Sequence, residues 1–148
     1  MAELGRRGIV ATAFAGNVPD IDIVAYAGGA TTHLQVKTWR TGDVQFDGKR
    51  FLRIEFEGDR QQLLGVDDTL DGYLIYVFVL LGELAGRDRF FIITQRELQQ
   101  IIFDNYDAWL TKHGGVRPRN PKTTHVAVRL GSLEKYEDNW TLIEQRLQ

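Results

Sequence analysis

The sequence predicts an α/β fold with three layers, in which helices cover both faces of a mixed central sheet. Segments with the period-2 alternation of β-strands are interspersed with segments that have helical spacing, and this order is typical of layered α/β folds. The stretch 73–81 is apolar throughout. A continuous apolar strand is expected at the centre of a sheet, where both of its faces are covered. With 148 residues, the chain is expected to form a single domain.

The N-terminal part is predicted to contain a short helix and three strands. The helix covers residues 1–7 and ends at Gly8, the first strand covers residues 9–14, and a hairpin is formed by residues 19–26 and 31–39. Because side chains alternate between the faces of a strand, Asp20 and Asp22 are expected to share one face. Gln35 and Lys37 share a face of the next strand for the same reason. If these faces match across the turn, an acid, an amide and an amine converge.

The middle of the chain is predicted to add a second hairpin and the apolar strand. Asp47-Gly48 is a strong two-residue turn signal, and it is expected to join strands at residues 44–46 and 49–56. Residues 58–72 are interpreted as a polar connection. The elements that follow are a strand at 89–93, a helix that opens with the capping box Thr94 and Glu97, a strand at 124–130 and a helix at 139–147.

Composition excludes several classes of protein. The chain has no cysteine, so it has neither disulfides nor thiolate zinc sites, and its three histidines are scattered along the sequence. No apolar stretch reaches the roughly 20 residues that a membrane-spanning helix needs. These features predict a cytoplasmic protein without a membrane association.

The charge is unevenly distributed along the chain. The net charge of −2 argues against a protein that coats nucleic acid, but residues 112–129 contain basic residues and no acidic residue. The basic residues of this segment are Lys112, Arg117, Arg119, Lys122 and Arg129. The segment is either a local patch for phosphates or a solvated loop.

The Asp, Gln and Lys residues of the first hairpin are the candidates for chemistry. The sequence lacks a Gly-rich phosphate loop, a dinucleotide fingerprint and a Gly-x-Ser-x-Gly elbow. A carboxylate and neighbouring carbonyl oxygens can hold hydrated Mg²⁺, while a lysine can act on the attacking water or stabilise negative charge on phosphorus. This combination of Asp, Gln and Lys residues is consistent with a phosphodiesterase. A hairpin that has one exposed polar face and no catalytic role would have the same pattern.

These residues resemble the motif of the PD-(D/E)XK nuclease superfamily, in which an acid on one strand is followed by acid-x-lysine on the next strand. Asp22 matches the first acid, and Gln35 matches the variant in which glutamine replaces the second. The sequence is most similar to small, largely uncharacterised bacterial members. The matching segments are Ala2-Glu3-Leu4-Gly5-Arg6-Arg7-Gly8, Gly16-Asn17-Val18-Pro19 and Gln35-Val36-Lys37-Thr38.

The resemblance implies a restriction-endonuclease-like fold and cleavage of DNA with Mg²⁺ or Mn²⁺. It implies that Asp22 and Gln35 hold the metal, with Asp20 as an accessory ligand, and that Lys37 acts on the water or the scissile phosphate. Arg40, Arg117, Arg119 and Lys122 are the candidate contacts to DNA. Since many nucleases of this fold cut two strands as pairs, a homodimer is a further expectation.

Two departures from the family pattern leave an alternative open. The further glutamate that the first helix of such relatives carries would precede Met1, so this helix is expected to be truncated. Gln35 removes one negative charge from the site, and metal affinity should therefore be weak. The alternative is a catalytically inactive nuclease-fold module that binds nucleic acid or a protein partner.

Overall fold

A computed structural model describes residues 1–16 and 19–148 of the chain. Its strands are β1 (Val10–Ala13), β2 (Ile23–Ala27), β3 (Ala30–Trp39), β4 (Val44–Asp47), β5 (Leu52–Glu57), β6 (Arg60–Val66), β7 (Ile75–Leu80), β8 (Arg89–Thr94) and β9 (His125–Val128). Its α-helices are α1 (Ala2–Arg6), α2 (Gln95–Lys112), α3 (Leu130–Leu133) and α4 (Thr141–Arg146), and single 3-10 turns cover Gly48–Arg50 and Glu134–Tyr136. The predicted turn at Asn17 and Val18 lies outside the described residues.

The chain divides into two compact units, each assembled from separate stretches of sequence. The sheet unit comprises residues 1–40, 73–95 and 134–148, and the α2 unit comprises residues 41–72 and 96–133. The organisation as one domain stays a prediction.

The sheet unit is built on a five-stranded mixed sheet with the order β1-β2-β3-β7-β8. Strands β3 and β7 are parallel, and the other neighbouring pairs are antiparallel. The first four residues of β7 are buried on both faces, as their continuous apolar sequence predicts. Tyr73, by contrast, lies before the strand and is 72% exposed. The mixed sheet and its helices confirm the predicted α/β fold class.

One face of this sheet is covered by α1 and α4. Leu34 on β3 and Val77 on β7 belong to one buried cluster with Leu4 of α1 and with Trp140 and Ile143 at α4. Burying an apolar side chain of this size contributes about 1.5–3 kcal/mol before conformational entropy is subtracted. Because side chains alternate along β3, Gln35 and Lys37 project from the opposite face.

The β2–β3 hairpin that carries the candidate residues forms as predicted. Its strands pair in register from Ile23 with Leu34 to Ala27 with Ala30. Gly28 and Gly29 form the turn with φ of 59° and 90°, a conformation that matches the twist of the flanking strands and favours glycine. The sequence around the turn therefore determines which residues of the two strands are neighbours.

In the α2 unit, the hairpin predicted at Asp47-Gly48 is wrong. β4 pairs with β9, and Asp47 accepts a hydrogen bond from the main-chain nitrogen of Lys49 at 3.3 Å where a 3-10 turn begins. A Cβ atom on Gly48 would lie 2.8 Å from Cε2 of Tyr106 and 2.9 Å from the carbonyl oxygen of Thr124. The glycine is therefore required by close packing and not by a hairpin turn.

The interpretation of residues 58–72 as a plain connection is also wrong. They contain β6, which pairs with β5 across a turn in which Gly58 has φ of 59°. The sequence of β6 does not have the usual pattern of a strand, because it contains a polar residue at a buried position. This residue, Gln61, donates from Nε2 to the carbonyl oxygens of Pro121 at 2.7 Å and Thr123 at 2.9 Å. These bonds need residues distant in sequence, which local patterning does not reveal.

Among the described residues, no helix has both the length and the apolar character that crossing a membrane requires.

Candidate functional site

The β2–β3 hairpin brings the carboxylate of Asp22 to the side chain of Gln35. Asp22 directly precedes β2, and its main-chain nitrogen donates to the carbonyl oxygen of Leu34 at 2.9 Å. Its Oδ2 accepts two hydrogen bonds, from Nε2 of Gln35 and from the main-chain nitrogen of Val36, both at 2.7 Å. The carboxylate is thereby fixed against β3 while the residue itself stays exposed.

Gln35 holds a carbonyl oxygen that is buried and has no partner. The residue is 9% exposed, and its Nε2 is used by Asp22. Its Oε1 is buried without a hydrogen bond to any residue in the described part of the chain. An unsatisfied buried acceptor costs about 1–3 kcal/mol, so a ligand that this oxygen could bind would be favoured.

Lys37 lies two residues further along β3, on the same face as Gln35. It pairs in register with Phe78 of β7 and is half-buried. Within residues 1–16 and 19–148, its ammonium group has neither a hydrogen bond nor an ion pair. Next along this face, Trp39 lies with its ring centroid 6.2 Å from that of Phe78 and 6.0 Å from that of Phe91. Lys37 thus lies between Gln35 and Trp39 on one face of β3.

Asp20 differs from the sequence expectation in its backbone. It lies in a turn before β2 with φ of 68°, so the alternation argument that placed it on the same face as Asp22 does not apply. Aspartate tolerates this left-handed conformation better than most residues. Its role as an accessory metal ligand stays a prediction.

The candidate site contains few formal negative charges. No group of three or more His, Asp or Glu residues suited to a metal ion exists among the residues that the structure describes. A cation bound here would have Asp22 as its anionic ligand and would need neutral oxygens for the rest of its coordination. The unpaired oxygen of Gln35 is such a group.

The four basic residues predicted to contact DNA have different surroundings. Arg40 directly follows β3 and is exposed, and Arg119 is exposed in the α2 unit. Lys122 is exposed as well, and its Nζ lies 3.7 Å from Oδ1 of Asp59 and bonds to the carbonyl oxygen of Gly58. Contact of these residues with nucleic acid stays a prediction.

Arg117 is the exception, since it is only 7% exposed. Its guanidinium carbon lies 4.7 Å from the ring centroid of Tyr106 and 4.3 Å from that of Trp109. The sequence predicts Arg117 as a candidate contact to DNA in a loop, and it does not reveal this packing. The signal that could have indicated it is the spacing of the two aromatic residues, which are three positions apart on α2 and so share a face.

The hydroxyl group of Tyr106 is part of the same packed region. It donates to Oε1 of Gln61, whose amide nitrogen is bonded to the 121–123 loop. Burial raises the pKa of Tyr106, and the positive charge of Arg117 opposes this increase only in part. The hydroxyl group is therefore protonated near neutral pH and acts as a donor.

No family model matches the sequence, and no curated protein matches it. Among solved structures, the chain is similar to a bacterial homing endonuclease, I-Ssp6803I, with 14% sequence identity and a TM-score of 0.49 over 98% of this chain and 85% of that one. A likeness at this level supports no inference about activity.

Proposed function

We propose that the chain is a Mg²⁺- or Mn²⁺-dependent nuclease that hydrolyses phosphodiester bonds in DNA at Asp22, Gln35 and Lys37. The observation that carries this proposal is the buried, unpaired Oε1 of Gln35 beside the ordered carboxylate of Asp22. The resemblance of these residues to the PD-(D/E)XK motif supports the same reaction.

The two residues fit a hard divalent cation. Asp22 accepts its hydrogen bonds through Oδ2, and among the described residues none donates to its Oδ1. This oxygen and Oε1 of Gln35 are ligands of the type that Mg²⁺ prefers, and Mg²⁺ usually retains several waters and binds substrate phosphate as well. When bound, the metal would supply Lewis-acid polarisation of the phosphate and a more acidic water.

The side chains of the site have distinct roles in this proposal. The Nε2 group of Gln35 orients the Asp22 carboxylate through its 2.7 Å hydrogen bond. The ammonium group of Lys37, which has no protein partner among the described residues, is available to the scissile phosphate or the attacking water.

Exposed basic residues would bind the phosphate backbone of the substrate. Arg40 directly follows the site strand and is exposed, and we propose that it contacts phosphates near the scissile bond. Arg119 and Lys122 are proposed as further contacts. Such contacts would position the duplex without reading its sequence.

The test is cleavage of plasmid, single-stranded and branched DNA with Mg²⁺ or Mn²⁺. Lys37→Met should lower the rate by about 100-fold or more, the usual effect of removing one group that stabilises the transition state. Lys135→Met is the matched control, because Lys135 is an exposed lysine of the same unit that lies 4.9 Å from the Tyr136 ring. Equal rates for Lys37→Met and the wild type would overturn the proposal. DNA binding without cleavage by the wild type would instead indicate the inactive module.

A further inference from the structure

The α2 unit contains a cleft that is separate from the residues proposed for catalysis. Its volume is about 590 Å³, within the range of small-molecule sites. It is lined by residues of β4, α2, the loop after α2, β9 and the segment that follows β9. They include Gln45, Trp109, Lys112, Arg117, His125 and Arg129. Every lining residue belongs to the α2 unit.

Arg117 is a buried positive charge in the wall of this cleft. It is 93% buried, as its 7% exposure shows, and its Nε has no hydrogen-bond partner among the described residues. No carboxylate of the described chain forms an ion pair with it. Arginine cannot escape burial by losing its proton. Its contacts with Tyr106 and Trp109 offset part of the cost of burial, but they leave the charge and the donor without an anion.

The surroundings of Arg117 are positively charged as well. Lys112 and Arg129 line the same cleft, and none of the described residues that line it is acidic. Two carboxylates of this unit, those of Asp43 and Asp47, interact with residues other than Arg117. Asp43 lies 3.9 Å from Nε of Arg129, and Asp47 lies 3.8 Å from Nζ of Lys49 and accepts from Thr124.

We propose that this cleft binds a phosphate group, with the guanidinium of Arg117 at its base and Lys112 and Arg129 at its rim. A forked guanidinium matches phosphate oxygens bidentately, and a phosphate with several negative charges suits a set of cations better than a single carboxylate does. The phosphate could belong to a nucleic-acid backbone or to a small phosphate ester. The inference does not depend on the proposed nuclease activity, because no residue of the hairpin site takes part.

The test uses the full chain in EDTA, so that a metal at Asp22 cannot contribute. Inorganic phosphate is titrated by calorimetry, and the melting temperature is measured with phosphate and with sodium chloride at equal ionic strength. Phosphate should produce a saturable heat and a higher melting temperature than chloride. Equal melting temperatures and no heat of binding would overturn the proposal.

Substitutions locate the bound phosphate. Arg117→Lys keeps the charge but loses the fork, and Lys112→Gln removes an exposed rim charge without disturbing the buried packing. Each should weaken phosphate binding roughly fivefold to tenfold, the effect expected for one charge-assisted hydrogen bond. Arg53→Gln is the control, because Arg53 is an exposed arginine of the same unit that does not line the cleft. Equal weakening in the control and in Lys112→Gln would overturn the site assignment.

Two further ligands distinguish the sources of the phosphate. If the cleft binds the backbone of nucleic acid, an oligothymidylate should bind more tightly than adenosine monophosphate, with an affinity that falls as salt increases. If it binds a small phosphate ester, the mononucleotide should bind at least as tightly as the oligonucleotide. Either result supports a phosphate site when Lys112→Gln weakens that binding by the same roughly fivefold to tenfold. Failure of both ligands to bind would contradict it.

Discussion

The amide nitrogen of Gln35 lies 2.7 Å from Oδ2 of Asp22. An amide in this position can hold the carboxylate in place without any cation, whereas a second carboxylate would repel it. The hydrogen bond also leaves the carbonyl oxygen of Gln35 buried and unpaired among the described residues. The pair is therefore ordered in the free protein and keeps an oxygen available for a ligand.

The first prediction concerns Gln35→Glu. The substitution removes the hydrogen bond and places a second negative charge, at the buried position 35, beside the carboxylate of the exposed residue Asp22. In EDTA, the free energy of unfolding should fall by about 2–4 kcal/mol, from the lost bond to a charged group and the new repulsion. Mg²⁺ should restore a larger part of the stability of this variant than of the wild type, since a cation relieves the repulsion. Denaturant unfolding with and without Mg²⁺ measures both effects.

Gln100→Glu provides the matched control. Gln100 donates from Nε2 to Oδ1 of Asp104 at 2.8 Å, so it makes the same chemical pair on the exposed surface of α2. Its substitution should cost less than about 0.5 kcal/mol and should show no Mg²⁺ dependence, because water screens the repulsion. A similar loss at both positions would show that burial of Gln35 does not matter.

The second prediction is weak metal binding. With Asp22 as the anionic ligand and Gln35 as a neutral one, Mg²⁺ should bind the free protein with a dissociation constant on the order of millimolar, as in sites with few charged ligands. Gln35→Glu should tighten binding by about tenfold, and Asp22→Asn should abolish it. Isothermal titration of each variant measures these changes. Micromolar binding that persists in Asp22→Asn would place the metal elsewhere.

The hairpin could be predicted from sequence because its determinants are local. Alternating side chains and the Gly28-Gly29 turn fix the neighbours of β2 and β3, so Asp22 and Gln35 were expected to meet. The conformation of Asp20 could not be predicted in this way, since its left-handed backbone ends the alternation before β2.

The errors lie where a residue depends on contacts distant in sequence. Asp47-Gly48 has the composition of a hairpin turn, but β4 pairs with β9, and Gly48 packs under Tyr106. Arg117 belongs to a basic segment that the sequence predicts to be either a patch for phosphates or a solvated loop, and its burial depends on aromatic rings that α2 supplies. Neither partner can be identified from the local pattern.

The third prediction tests the packing explanation for Gly48. Gly48→Ala should lower the free energy of unfolding by roughly 1–3 kcal/mol, because the new Cβ would lie 2.8 Å from the ring of Tyr106 and 2.9 Å from the Thr124 carbonyl oxygen. Gly5→Ala on α1 is the control, since a Cβ there meets nothing within 4 Å. It should stabilise the protein by about 0.5–1 kcal/mol through helix propensity. Denaturant unfolding compares the two, and a neutral Gly48→Ala would contradict the packing argument.

In the sheet unit, an ion pair joins Arg89 of β8 to Glu137, the residue that follows the Glu134–Tyr136 turn. Arg89 donates from Nε and Nη2 to the two carboxylate oxygens of Glu137, both at 2.7 Å. The hydrogen bonds from Arg89 hold the pKa of Glu137 below its usual range, and the same pairing raises the pKa of Arg89. Arg89 also lies over the ring of Phe91, at 5.2 Å from its centroid.

The fourth prediction follows from the lowered pKa of Glu137. Stability from this pair is fully present above the ordinary glutamate pKa of about 4.3 and is lost as pH falls through the lower pKa of the folded state. The destabilisation caused by Glu137→Gln should therefore be constant from pH 7 to about pH 5 and shrink below that. Denaturant unfolding across this range measures it. In an Arg89→Gln background, the pH dependence of the Glu137→Gln effect should disappear. The two single variants and the double variant form a double-mutant cycle, which separates the ion pair from the contact of Arg89 with Phe91. If the effect of Glu137→Gln still depends on pH in the Arg89→Gln background, a group other than Arg89 lowers the pKa of Glu137.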